Sequence, residues 1–319
     1  MDKKNTLDES LMWDMFGTTM ESGIPVLMAL NLVRDTFPAY KEEIQHLHDV
    51  IREGDSCAIA LNKYKDSFHP LTIPLIDVGE ETGALPEMLF KCSEIAKKNN
   101  SNESTLWYSL GTLTDAGMPI LRSMRIAKKA FPNYDVELAN IAESIESGST
   151  ITESLEAKPC SFNPLVKYII ERGEYSGNLE GGFFRASNLV EYKENVDESI
   201  FYNPEQKDKL TFFKYAGCLL DEGIPLTRGL KIISDAVDEP YKSISNNMMK
   251  DIYKGCTFSE TIAKNEMFSP FELNMIRAGE AGGVLEEVVE RIGTHLKEVY
   301  KTKAMIKAQE TIYQISNLG

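Results

Sequence analysis

Apolar positions recur along this chain at the three- and four-residue spacing of amphipathic helices, and no segment alternates apolar and polar residues over a useful length. Leu11, Met12, Met15 and Met20 share one face of a helix expected from about Leu7 to Ser22. Val26, Leu27, Leu30 and Val33 mark a second, and a third is expected from about Tyr40 to Glu53, ended by Gly54. Between the first two stands Gly23-Ile24-Pro25. A glycine can take the left-handed position that closes a helix, and proline suits the first turn of the next because its missing N–H has no partner there. Ser56 then reads as the N-cap of a short fourth helix. His69, between Phe68 and Pro70, reads as the polar cap that starts a fifth. The fifth is expected to end around Gly79-Glu80-Glu81-Thr82-Gly83, and a sixth to run from about Leu85 to Lys98.

This series occurs three times. Gly23-Ile24-Pro25 returns as Gly117-Met118-Pro119 and Gly223-Ile224-Pro225, and 56 residues after each comes Gly79-Glu80-Glu81-Thr82-Gly83, Gly173-Glu174-Tyr175-Ser176-Gly177 or Gly279-Glu280-Ala281-Gly282-Gly283. The copies are displaced by 94 and then 106 residues. A fixed spacing of this kind is the mark of one supersecondary unit used repeatedly. Other positions keep register: Trp13, Trp107 and Phe213; Gly17, Gly111 and Gly217; Glu21, Asp115 and Asp221; the caps Ser56, Thr150 and Thr257; and Phe68, Phe162 and Phe268, each two residues before a proline. Thr150 and Thr257 are followed three residues later by Glu153 and Glu260, a capping box that the first copy lacks because Ile59 stands there. The fold class expected is all-α, three tandem six-helix bundles over residues 1–99, 100–200 and 201–319. Polar linkers are expected at Asn99–Ser104 and about Tyr192–Lys209, and a helical tail with Lys297, Lys301, Lys303 and Lys307 after the third copy.

Composition removes several function classes. A formal charge of −15 argues against a nucleic-acid surface, which needs clustered Lys and Arg. Five scattered cysteines, none in Cys-x-x-Cys, suit free thiols in a reducing compartment better than a disulfide framework or a zinc site. Met1–Ser10 lacks the apolar core of a secretory signal, and no run of 18 apolar residues offers a membrane span. His46 and His48, two apart on one helix, point to different faces and make poor metal geometry. No phosphate-binding loop, dinucleotide fingerprint, nucleophile elbow or calcium loop is present, so neither cofactor nor metal is expected.

The paired Gly-x-Pro and Gly-Glu-x-x-Gly signatures, with Phe-x-Pro between them, resemble the F-type domain of type II secretion and type IV pilus assembly systems. The resemblance covers nearly the whole chain in three copies. It implies six-helix bundles of an inner-membrane platform protein, normally two, separated by membrane-spanning helices. Here the places where spans would follow hold Asn99–Ser104, the charged stretch Glu191–Glu198 and the lysine-bearing tail. The resemblance implies that Gly23, Pro25, Gly79, Glu80 and Gly83, with Gly117, Pro119, Gly173, Glu174 and Gly177 and with Gly223, Pro225, Gly279, Glu280 and Gly283, hold the family's motif positions.

Three acids at one motif position could be read as acid–base or metal groups. The structural reading is preferred: Glu80, Glu174 and Glu280 turn inward and accept hydrogen bonds from free N–H groups at a neighbouring helix start. Glu21, Asp115 and Asp221 lie near a helix C-terminus, the unfavourable end for an anion, and are read as solvated or, alternatively, as contacts to a cation or a basic partner, although no calcium-ligand pattern surrounds them. The function expected is a non-enzymatic scaffold or adaptor binding an assembly ATPase, a platform protein or its own copies. It would be cytoplasmic, with the tail as a route to peripheral contact at the inner membrane. The alternative is an all-α metal- or ligand-binding protein using acids between bundles.

Overall fold

The computed structural model describes residues 6–98, 102–157, 160–194 and 204–316. These residues are helical, with no strand among them. The first copy contains α1 (Thr6–Glu21), α2 (Val26–Thr36), α3 (Lys41–Glu53), α4 (Cys57–Asn62), α5 (Thr72–Thr82) and α6 (Leu85–Lys98). The second contains α7 (Glu103–Asp115), α8 (Ile120–Ala130), α9 (Asp135–Glu146), α10 (Ile151–Ala157), α11 (Val166–Ser176) and α12 (Leu179–Glu194). The third contains α13 (Pro204–Asp221), α14 (Leu226–Ala236), α15 (Tyr241–Tyr253), α16 (Phe258–Ala263), α17 (Pro270–Gly282) and α18 (Leu285–Ser316). Two compact units emerge, one drawn from Met1–Ser161 and Gly173–Asn188, the other from Phe162–Arg172 and Leu189–Gly319.

The expected corners form, with small shifts. Gly23 has φ 80° and stands where the chain leaves α1, a conformation that a side chain resists. Pro25 is one residue earlier than expected: it is the N-cap of α2 at ψ 138°, and its carbonyl accepts the first N–H bonds of that helix. Pro119 and Pro225 repeat this at α8 and α14. The Phe-x-Pro start behaves as expected only in the third copy, where Ser269 and Glu272 form a capping box with Pro270 in the first turn of α17. In the first two copies α5 and α11 begin later, because His69 Nδ1 and Asn163 Oδ1 accept the N–H two residues on, from Leu71 and Leu165, and hold a turn there. Two expected linkers are shorter than read: Asn102 caps α7 through a 2.9 Å bond from Thr105 N, and α12 and α13 extend into the second one. Residues 99–101 and 195–203 of those linkers lie outside the described residues.

Each copy closes by packing its first helix along its sixth. Trp13, Trp107 and Phe213 are fully buried. Trp13 lies 5.2 Å from Phe68, Trp107 stacks on Phe183 at 5.8 Å, and Phe213 meets Phe268 edge-on at 5.7 Å. The Phe of each Phe-x-Pro is buried, so the motif pins a loop to the core. Gly17 and Gly111 face Phe90 and Phe184 so closely that a Cβ would stand 3.0 and 2.9 Å from the ring, and one at Gly217 would stand 3.3 Å from the α18 backbone. These glycines let the first and sixth helices approach.

The first motif glycine works by the same contact. A Cβ on Gly79 would lie 3.0 Å from the Leu85 Cα and 2.9 Å from Met88 Cγ, whereas one on Gly282 meets only Val284 at 3.4 Å. Overpacking costs about 1–3 kcal/mol, against a gain of about 1 kcal/mol in helix propensity. Gly79→Ala is therefore expected to lose up to about 2 kcal/mol in urea unfolding of the full chain. Gly282→Ala should stay within about half a kcal/mol of the parent, and equal losses would remove the contact argument.

Candidate functional site

A helix of six or seven residues is mostly ends. Its first N–H groups have no partner within the helix and must be bonded from outside. For α4, α10 and α16 the partner is the motif glutamate, carried 21–23 residues downstream near the end of the fifth helix of the same copy. Glu80 accepts from Cys57 N at 2.6 Å on one carboxylate oxygen and from Ala58 N at 3.0 Å on the other. Glu174 accepts from Ile151 N at 2.8 Å and Thr152 N at 3.1 Å, with the Thr152 hydroxyl added at 2.5 Å. Glu280 accepts from Phe258 N at 2.6 Å and Ser259 N at 3.3 Å.

The caps complete the accounting. Ser56, Thr150 and Thr257 accept the next N–H, from Ile59, Glu153 and Glu260, at 3.2, 3.1 and 3.2 Å. Glu153 and Glu260 return a bond to the cap's own N–H at 2.9 and 2.8 Å. The start of each short helix is thus filled by its own chain. An anion there also sits at the favourable end of the helix dipole. Three residues past each glutamate, Gly83, Gly177 and Gly283 adopt φ of 75°, 69° and 69°, which turns the chain directly into the sixth helix. Cys57, at the mouth of the first fork, is buried; that burial, followed by the charge of Glu80, pushes its thiol pKa up and keeps it protonated.

Glu21, Asp115 and Asp221 are exposed at the helix ends, and Asp115 pairs with Lys91 of α6. The structure does not bring these acids to the forks. Among the described residues no group of His, Cys, Asp and Glu is gathered that could hold a metal ion. His46 stacks edge-on against Tyr64 while His48 turns to Asp49. No described helix is long and apolar enough to cross a membrane.

The sequence profile of a family described as "Type II secretion system (T2SS), protein F" matches residues 13–107, 108–201 and 212–316. The chain belongs to the type II secretion system protein F family. A protein described as type IV pilus assembly protein PilC from Pseudomonas aeruginosa is 19% identical over 313 residues, spanning 93% of this chain and 80% of that protein. The PilC of Myxococcus xanthus is 26% identical over 113 residues, 35% of this chain and 27% of that protein. An Escherichia coli protein described as a protein transport protein HofC homolog is 21% identical over 300 residues, covering 88% and 71%.

Within this family member the structure adds a position that sequence reading passed over. Glu9 Oε1 accepts from Trp13 Nε1 at 3.3 Å, from His69 N at 2.9 Å and from the Thr72 hydroxyl at 3.5 Å. Glu103 accepts from Trp107 Nε1 at 3.1 Å in the second copy. In the third, where the aromatic is Phe213 and has no N–H, the matching residue is Lys209. It donates to Met267 O at 2.7 Å and pairs at 2.8 Å with Glu272, whose side chain is 2% exposed. The polar residue four before the aromatic changes with it, a signal available in the sequence at Glu9/Trp13, Glu103/Trp107 and Lys209/Phe213. Burial raises the Glu9 pKa, outweighing its three hydrogen bonds, and burial lowers that of His69 to about 4, so the imidazole is neutral at pH 7.

Two predictions follow from these carboxylates. Glu174→Ala strands two backbone donors and a hydroxyl, and is expected to cost about 2–3 kcal/mol and to speed amide exchange at Ile151 and Thr152, while Glu174→Gln leaves the bundle folded at a smaller loss. An unchanged melting temperature for Glu174→Ala would discount the fork. For Glu9, a folded-state pKa above the unfolded one means that its contribution is present below the unfolded value and lost as pH rises through the folded one. Since all three donors reach one oxygen, Glu9→Gln keeps them. Its melting temperature should exceed the parent's near pH 7 and converge with it at about pH 4, as read by calorimetry across that range.

Proposed function

We propose that this chain is a non-enzymatic protein-interaction scaffold or adaptor of a secretion or pilus assembly apparatus, built as three tandem bundles over residues 1–99, 100–200 and 201–319. The observation that carries the reading is the use made of the motif acids. Glu80, Glu174 and Glu280 are the carboxylates that recur at the family's motif position, and each is spent on backbone N–H groups of its own bundle. The other motif residues form corners and close helix contacts. Function then lies in surfaces. A formal charge of −15 suits basic faces on protein partners, with an assembly ATPase or a membrane-spanning platform protein as the partner. The chain would sit on the cytoplasmic side, held at the inner membrane through those partners.

The test is capture of the tagged full chain from its native cells after cross-linking, with identification by mass spectrometry. An assembly ATPase or a platform protein is expected among the cross-linked species. Recovery of no secretion or pilus component above an untagged control would remove this reading.

A further inference from the structure

The second helix of a copy meets the fifth helix of the copy before it through an ion pair, and this contact recurs in the two units. In the first unit Arg122 of α8 bonds Asp77 of α5 at 2.9 Å, with Glu81 at 3.8 Å. Beside this pair is a cleft of about 430 Å³ whose apolar lining is Ala58, Ile59, Ile73, Pro74 and Ile126. In the second unit Arg228 of α14 bonds Glu171 of α11 at 3.0 Å, and its guanidinium lies 5.7 Å from the Tyr168 ring centre. Arg122 and Arg228 hold one repeat position, and Asp77 and Glu171 another, so both contacts use the same pair of faces.

The first copy presents the same face, and there it is exposed. There the arginine position is Met28, 58% exposed, and one turn on is Leu32, 43% exposed. At the position of Leu32, Ile126 is half-buried and Ile232 is 3% exposed. At the other end of the series, the position of Asp77 and Glu171 is taken by Arg277, which is exposed on α17. Placing Met28 against Arg277 of a second copy would press a guanidinium onto an apolar face with no acid opposite, which costs its hydration for no return.

We propose that the Met28–Leu32 face of α2 is a docking surface for the fifth helix of a six-helix bundle on a separate chain, one that carries an apolar residue where this chain has Asp77. The two internal joints supply the geometry, and the exchange of arginine for methionine supplies the specificity, since an unpaired apolar side chain selects against an acidic partner position. The surface gives the scaffold reading a named contact and rests on it for its biological use. Its failure is distinguishable: if the face binds nothing, cross-linking still recovers apparatus components held through other surfaces, whereas failure of the scaffold reading removes them.

The probe is the full chain with Arg277→Leu, which presents such a helix to Met28 of the next molecule. Sedimentation velocity over a concentration series is expected to show self-association at least tenfold tighter than for the parent, and Met28→Glu in the same background should abolish the gain. Both residues are exposed, so circular dichroism should match the parent. No gain for Arg277→Leu, or a gain that survives Met28→Glu, overturns the proposal. Parent chains that associate through a contact broken by Met28→Glu alone would give the face to a second copy and overturn the stated occupant.

Discussion

Everything in these bundles depends on anchoring a helix too short to hold itself. Nucleating a helical turn is unfavourable, and six or seven residues give few bonds in return. The motif carboxylate removes that penalty from a distance, bonding two N–H groups at once while the cap bonds a third. Because the glutamate is fixed near the end of the fifth helix, its position also sets where the fourth helix points. The glycine three residues later then commits the chain to the sixth helix, which returns along the first. One side chain thus ties the fourth, fifth and sixth helices, the C-terminal part of a copy.

Where the copies differ, they differ as coupled sets. Trp13 and Trp107 keep an acid for their indole N–H, whereas Phe213 comes with a lysine that answers a buried glutamate on α17. The seam between the first and sixth helices behaves alike: Ser10 meets Ser93 at 3.1 Å and Ser104 meets Ser187 at 3.5 Å, both pairs buried, while the matching residues of the third copy are Leu210 and Gly293. A buried polar atom has to be answered or removed, so a change on one helix demands its counterpart on the other.

What could be read in advance was local or repeated. The Gly23 and Gly83 corners, the Thr150–Glu153 and Thr257–Glu260 boxes and the helix order all rest on bonds within a few residues, and threefold repetition separated them from chance. The inward turn of Glu80, Glu174 and Glu280 was legible because a carboxylate kept at one place beside two glycines has few other uses. The Glu9 cluster was legible only in part: its spacing to Trp13 is local, but its donor His69 N lies 60 residues away and only the fold shows that the acid is buried. The late starts of α5 and α11 were missed for a related reason: His69 and Asn163 can cap a helix or bend a turn, and the glutamate that completes a capping box stands only in the third copy, at Glu272. The pairing of Arg122 with Asp77 belongs to neither copy alone and needed coordinates.

The ion pairs at the joints carry a consequence for how such a chain can lengthen. Copying the third repeat and appending it would set a new Arg228 opposite the existing Arg277, two cations in place of a cation and an acid. At about 4 Å in water that repulsion is about 1 kcal/mol, and more where solvent is thin. A tandem duplication of the third copy would therefore carry an electrostatic penalty that a single codon change at Arg277 could lift.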